Sequence, residues 1–310
     1  MKPTIPMKSA TPIVVQLDRW DERVLQALHF YEFVQPENLC YLFFGKLSSL
    51  THVKARLKIL VDKGYLQLVQ RPDGKLVRPY WYTLSGAGVR YLKEKGMERG
   101  RYFRPHKQGV RNESDLAHIG GVNYFLGAIE RLTLLDSRVT IVERFHDLEL
   151  QSHPCYFPAP FTNADGQTGE KRAKSVPDWW LHCSVALSPE KSRRFNFWGE
   201  LDMGTQGEAV IKRKVRNALL IQKSGSLKTR FHAKAATFTY VTMAGQERVS
   251  LLREWMREEL LKDKKEAAYF SQMFLVTSLS HPIDPFSLAY EPVWLHPFDD
   301  TKRVSLFDLK

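Results

Sequence analysis

Two short acidic segments constrain this chain more than anything else in it. Val176-Pro177-Asp178-Trp179-Trp180 is followed about twenty residues later by Phe197-Trp198-Gly199-Glu200-Leu201-Asp202-Met203-Gly204-Thr205. Each sets carboxylates inside an apolar run that reads as a strand, where an unpaired charge is costly to bury. A fold built on these strands has to bring something cationic to them. In a strongly basic chain, the obvious compensator is a divalent metal acting on a phosphodiester.

The basic balance is uneven. The 310 residues carry a net charge of +12. Residues 1–112 hold 20 Lys and Arg against 9 Asp and Glu, whereas residues 113–310 hold 26 against 25. A basic module joined to a nearly neutral one points to a nucleic-acid grip attached to something else. The three cysteines, Cys40, Cys155 and Cys183, form no CxxC pair, which argues against a zinc ribbon or a disulfide framework. No apolar run approaches the ~20 residues that span a bilayer, and the first residues lack a signal core. The expectation is a cytoplasmic protein without membrane insertion.

Residues 21–92 read as three helices and a hairpin. A first helix covers 21–29 with Val24, Leu25 and Leu28. Pro36 opens a second, where its missing N–H costs nothing. A third runs over 49–63 with Leu50, Val53, Leu57, Leu60 and Val61 at helical spacing, capped by Ser48 or Ser49 and ended by Gly64. Strand-like residues 65–69 and 76–83 flank the turn Pro72-Asp73-Gly74-Lys75. This order is that of a winged helix-turn-helix, whose third helix enters the major groove. Thr51, His52, Lys54, Arg56 and Lys58 lie on or beside its open face, with His52, Arg56 and Lys58 as the readers of base edges. Arg71, Lys75 and Arg78 on the wing would neutralise phosphates. Residues 93–111 form a basic linker.

The second half predicts a helix over 113–134 (Leu116, Ile119, Val122, Leu126, Ile129) and a strand over 138–150. An irregular loop follows over 152–175, then paired strands over 176–187 and 195–202. A helix over 205–222, a strand over 236–243, a helix over 246–262 and an apolar segment over 273–279 complete it. The order puts a mixed sheet between helices. Trp255, Tyr269, Phe270, Phe274 and Trp294 are either core or a partner surface.

With Pro177-Asp178 on one strand and an acid pair on the next, this order resembles the PD-(D/E)xK restriction-endonuclease-like superfamily. More narrowly, the chain resembles the replication-relaxation family of mobile-element proteins, which includes the MOBC relaxases of conjugative and mobilisable plasmids. The stretches that carry the resemblance are Leu116-Ala117-His118-Ile119 with Asn123, Pro177-Asp178, residues 200–205, Lys214, and Tyr82-Thr83-Leu84-Ser85-Gly86-Ala87-Gly88. It implies an α/β (α+β) chain in three parts: a winged helix over 18–92, a basic linker over 93–112, and a nuclease-like mixed sheet flanked by helices over 113–310.

The chemistry follows from the residues. Phosphodiester cleavage needs charge on the non-bridging oxygens and an activated nucleophile, and Mg²⁺ or Mn²⁺ supplies both through oxygen ligands. Asp178 and Glu200 on neighbouring strands are the candidate ligands, with the Leu201 carbonyl as a third. Glu200 and Asp202 are two apart and share a strand face. The superfamily places a lysine where Asp202 stands. Either Asp202 is a further metal ligand and a lysine arrives from elsewhere, with Lys214 the best replacement, or the site has lost catalysis. Lys212 and Arg216 point more outward. Competing structural readings make Asp178 a turn residue, Asp202 or Thr205 a helix cap, His118 a core histidine and Glu130 an exposed ion-pair partner. The ten histidines include no His-apolar-His cluster of the commoner tyrosine relaxases, and no GxxxxGK[ST] loop is present. The expected activity is metal-dependent nicking of a specific duplex DNA site at an origin of transfer, with relaxosome or coupling proteins as further partners. A non-catalytic DNA-binding factor and a transposition or defence endonuclease are the alternatives.

Overall fold

The computed structural model describes residues 17–97, 112–163, 165–280 and 282–308. Its first elements are helices α1 (Arg19–Tyr31), α2 (Pro36–Phe44) and α3 (Leu50–Asp62), then strands β1 (Leu66–Leu68) and β2 (Tyr82–Leu84). Asp18 caps α1, accepting from the N–H groups of Trp20 at 2.9 Å and Asp21 at 2.8 Å. Val53, Leu57 and Leu60 bury one face of α3. Gly64, at φ +76°, closes that helix as Tyr65 N–H donates to the Leu60 carbonyl at 2.9 Å. The strand pair is shorter than its sequence pattern, with Leu66 opposite Leu84 and Leu68 opposite Tyr82. Beyond it the chain turns at residues 71–75, where Gly74 sits at φ +80°. Val34 bridges to Tyr82 on the other edge.

A fourth helix, α4 (Gly86–Glu94), was not expected. Its signal was Ser85, whose hydroxyl accepts from Ala87 and Gly88 N–H at 3.1 and 3.2 Å. Most of the expected basic linker lies outside the described residues.

Helix α5 (Glu113–Leu135) lies between these elements and a seven-stranded sheet. Two adjacent glycines make the fit. A Cβ on Gly120 would stand 2.7 Å from the Trp81 ring, and one on Gly121 would stand 2.5 Å from Leu201. A continuous apolar core runs from Val24, Leu28 and Leu39 through Phe125 and Ile129 to Trp179, Leu181 and Leu201. Polar groups cross the same boundary. Asn123 donates to the carbonyls of Tyr31 and Phe33 at 3.1 and 2.7 Å, and its Oδ1 lies 2.9 Å from His146 Nε2. His146 in turn faces buried Glu32 at 3.2 Å. Glu130, expected as an exposed partner, bridges Arg144 at 2.6 Å and the Tyr31 hydroxyl at 2.5 Å and is half-buried.

The sheet runs in the order β3 (Val139–His146), β6 (Trp179–Ser188), β7 (Lys191–Asp202), β8 (Thr237–Thr242), β9 (Phe274–Ser278), β10 (Trp294–Leu295) and β11 (Arg303–Val304). Strands β7, β8 and β9 are parallel, and the pairs outside them are antiparallel. Helices α7 (Glu208–Ser224) and α9 (Gln246–Leu260) cover the face opposite α5, packing Ile211, Val215, Leu252 and Met256 on Trp198, Phe238 and Tyr240. The chain is thus a mixed α/β protein with helices on both sides of a large mixed sheet, as expected.

Three local expectations are corrected. The strand beginning near residue 138 stops at His146 and gives way to the short helix α6 (Asp147–Ser152). The helix expected from Thr205 starts at Glu208 with Gly207 at its cap, so neither Asp202 nor Thr205 caps it. The segment read as an irregular loop is a hairpin of β4 (Cys155–Thr162) and β5 (Thr168–Ser175). Its prolines obscured it. Asn163 N–H donates to the Gln167 carbonyl, and Pro158 and Pro160 fall at the alternate positions, where a strand residue has no N–H to give its partner. Phe270, Phe274 and Trp294 are buried, Trp255 is half-buried and Tyr269 is exposed, so most of the late aromatics are core. No helix among the described residues is long and apolar enough to cross a membrane.

Candidate functional site

Asp178, Glu200 and Lys214 meet where β6 begins and β7 nears its end. Trp179 pairs with Gly199 across these strands, and Asp178 N–H donates to the Gly199 carbonyl at 2.9 Å. The approach demands glycine, because a Cβ on Gly199 would lie 1.7 Å from the Trp179 ring. Asp178 Oδ2 then accepts the Leu201 N–H at 2.6 Å, and Oδ1 faces His118 Nε2 at 3.1 Å. Strand alternation puts Trp198, Glu200 and Asp202 on the face covered by α7 and α9. Glu200 Oε1 accepts from Trp198 Nε1 at 3.1 Å, and Oε2 accepts from Lys214 Nζ at 2.6 Å.

The charges are strongly coupled. Burial pushes Asp178 up, but His118, Lys214 and the Leu201 N–H outweigh it and hold its carboxyl below the ordinary value. Burial pushes Glu200 up, Asp178 adds to that, and Lys214 only partly offsets them, so Glu200 stays above the ordinary value. Burial acts to lower Lys214, yet Glu200, Asp178 and Asp202 together keep its ammonium above the usual range. Two carboxylates forced to different proton affinities beside one cation is an arrangement typical of reactive sites. Tyr240, opposite Glu200 on β8, is pushed well up by burial and by the same two acids.

Asp202 behaves differently from its neighbours. It is 2% exposed, and Arg248 grips it with two bonds, Nε to Oδ2 at 2.7 Å and Nη2 to Oδ1 at 2.9 Å. Thr242 Oγ1 and Gly204 N–H each add a bond at 3.1 Å. Oδ2 thus carries three protein bonds and Oδ1 one, so the Arg248 guanidinium stands where the sequence reading put a metal on Asp202. Among the described residues, no group of three or more His, Cys, Asp or Glu side chains is placed to hold a metal.

Asp178 and Glu200 alone still match the chemistry of a hard cation. Among the described residues each of their oxygens has one protein partner, and a carboxylate oxygen accepts two. Mg²⁺ is held elsewhere by one or two carboxylates together with phosphate oxygens. Lys212 and Arg216 do point away from this cluster, tying α7 to Glu258 and Glu259 on α9.

Sequence reasoning missed Arg248, Trp198 and Tyr240 and weighed His118 as core. Arg248 is 46 positions from Asp202, and its one signal was the uncompensated charge of Asp202 itself.

The expected DNA-reading residues separate into two groups. Thr51, His52, Lys54 and Lys58 are exposed along α3. His52 stands edge-on to Trp20 at 6.0 Å, and Lys54 is 3.6 Å from Glu37. Arg56, expected to read a base edge, is engaged within the fold. Its guanidinium clasps fully buried Asp21, with Nε to Oδ1 at 2.5 Å, and also binds Asp18 at 2.7 Å, joining α3 to the start of α1. In the turn after β1, Arg71 pairs with Asp73 at 3.1 Å and Glu113 at 3.3 Å. Lys75 is exposed 3.9 Å from Asp73, and exposed Arg78 lies 4.2 Å over the Tyr80 ring.

A family model described as replication-relaxation matches residues 25–218, a span reaching from α1 through both carboxylates and Lys214. No curated protein and no solved structure matches the chain.

Proposed function

The chain belongs to the replication-relaxation family, and on that premise we propose that it recognises a specific duplex site and nicks one strand there with Mg²⁺ or Mn²⁺. The biological setting of this reading is the origin of transfer of a conjugative or mobilisable element. The observation that carries it is the meeting of Asp178, just before β6, and Glu200, on the adjacent β7, with Lys214 arriving from the following helix.

In this reading, residues 18–92 are a winged helix-turn-helix. Thr51, His52, Lys54 and Lys58 on α3 face the major groove, while Lys75 and Arg78 meet phosphates. Residues 113–310 are a PD-(D/E)xK-like nuclease unit whose motif lysine has moved to Lys214. Asp178 and Glu200 hold the cation, which when bound supplies Lewis-acid charge at the scissile phosphate. His118 and the Leu201 N–H fix the Asp178 carboxylate, and Trp198 fixes Glu200. Lys214, anchored on Glu200, places positive charge where the attacking oxygen and the phosphate meet. Arg248 neutralises Asp202, so that a third acid does not add repulsion to the pair. The core shared through α5 sets the distance between the recognised bases and the cut.

A second reading, a non-catalytic DNA-binding replication or relaxosome factor, draws on Asp202 standing where the superfamily has lysine. A supercoiled plasmid carrying DNA from around the native gene separates the two. Open circles formed with metal by the unaltered protein, and not by Asp178→Ala/Glu200→Ala, are the expected product. Linear product would indicate a two-strand endonuclease. Intact supercoils despite a site-specific footprint would favour the binding factor.

A further inference from the structure

The hairpin of β4 and β5 leaves one face of its ribbon outside the core. Cys155 and Phe157 are buried with Trp180 and Phe231 under α7 and the short helix α8 (Ser226–Phe231). The alternate residues, Tyr156, Pro158, Arg172 and Lys174, are exposed. Tyr156 stands opposite Lys174, and the Arg172 guanidinium lies 3.9 Å over its ring. Among the described residues, neither Arg172 nor Lys174 is paired with a carboxylate. Glu170, two residues before Arg172 on the same face, marks the far limit of the basic patch.

An aromatic ring flanked by two unpaired cations on an open ribbon is the chemistry that holds single-stranded nucleic acid. Bases stack on the ring and the guanidinium plane, and the cations follow the phosphates. One end of the patch is tied by the chain to the carboxylates. Lys174 is four residues before Asp178, so their Cα atoms are at most ~14 Å apart.

We propose that the outer face of this hairpin, through Tyr156, Arg172 and Lys174, is a single-stranded DNA-binding site that holds the strand released next to the cut. The proposal deepens the nicking reading and rests on it for its biological role, but strand binding is measured without cleavage.

The test compares Tyr156→Ala/Arg172→Ala/Lys174→Ala with His52→Ala/Lys58→Ala and the unaltered protein. Each is titrated by fluorescence anisotropy against a labelled oligo(dT) and against duplex from around the native gene. Thermal melting of each variant confirms that these exposed substitutions leave the fold intact. The hairpin variant should bind the single strand ~10- to 100-fold more weakly, the range that loss of base stacking gives, and keep its duplex affinity. Its salt slope on the single strand should flatten by roughly 1 to 1.5, as expected for two lost cations. The His52/Lys58 variant should show the reverse selectivity. Unchanged single-strand affinity in the hairpin variant would overturn the proposal. Equal losses on both DNAs would also overturn it and make the face a duplex-backbone contact. If the plasmid stays uncut while the hairpin variant loses single-strand affinity, the nicking reading fails, and the single-strand site stands without the role of holding a cut strand.

Discussion

Lys214→Ala should slow metal-dependent nicking by ~10² to 10³-fold, the range seen when a single preorganised donor is removed from a charged transition state. The reason lies in the pair it serves. Lys214 is the cation bonded to Glu200, and it also lowers Asp178. Without it, burial and Asp178 act on Glu200 unopposed in the metal-free protein, so the Glu200 carboxyl moves further up and protons compete better with the metal for it. The acid limb of the rate–pH profile should therefore shift to higher pH, and part of the lost rate should return under alkaline conditions. Lys214→Arg keeps the charge and should recover more rate than Lys214→Ala, though its planar fork fits a point-charge position poorly. Nicking rates across pH on the plasmid substrate check this. A Lys214→Ala protein with an unaltered rate and profile would remove the lysine from the mechanism.

Arg248→Ala should destabilise the fold by ~3 to 5 kcal/mol, because it strands a buried carboxylate. Asp202 would keep only the Thr242 hydroxyl and the Gly204 N–H. Arg248 also donates to the Gln206 carbonyl at 2.5 Å and stacks 5.0 Å over Trp255, so the loop leading into α7 loosens with it. The double change Asp202→Asn/Arg248→Gln removes both charges and should be milder than Arg248→Ala. Urea unfolding of the unaltered protein, Asp202→Asn, Arg248→Gln and the double variant gives the coupling directly. A loss below ~1 kcal/mol for Arg248→Ala, the range of a surface pair, would show that Asp202 finds another partner.

The elements that hold the carboxylates were legible because their signals are local. Alternation around Glu200, the Pro177-Asp178 step, the stripe on the helix before Lys214 and the caps and turns of the first three helices lie within a few residues of what they specify. What the sequence concealed depends on distant partners. Arg56 looks like a base reader on a helical wheel, yet Asp21, 35 positions earlier, claims it. Asp202 looks like a ligand until Arg248 arrives from a later helix. The hairpin at 155–175 was hidden by prolines that are harmless at positions whose N–H is not needed. The Asn123–His146–Glu32 contact is likewise made only when α5, β3 and the end of α1 are brought together.

The claim on which the rest depends is that Asp178 and Glu200 form a two-carboxylate cation site and that Asp202 does not belong to it. Mn²⁺ titration followed by electron paramagnetic resonance tests this without knowledge of the DNA site. Mn²⁺ should bind stoichiometrically to the unaltered protein and to Asp202→Asn, and not to Asp178→Asn/Glu200→Gln. Binding that survives the double substitution, or that is lost with Asp202→Asn in a protein still folded by circular dichroism, would contradict the claim.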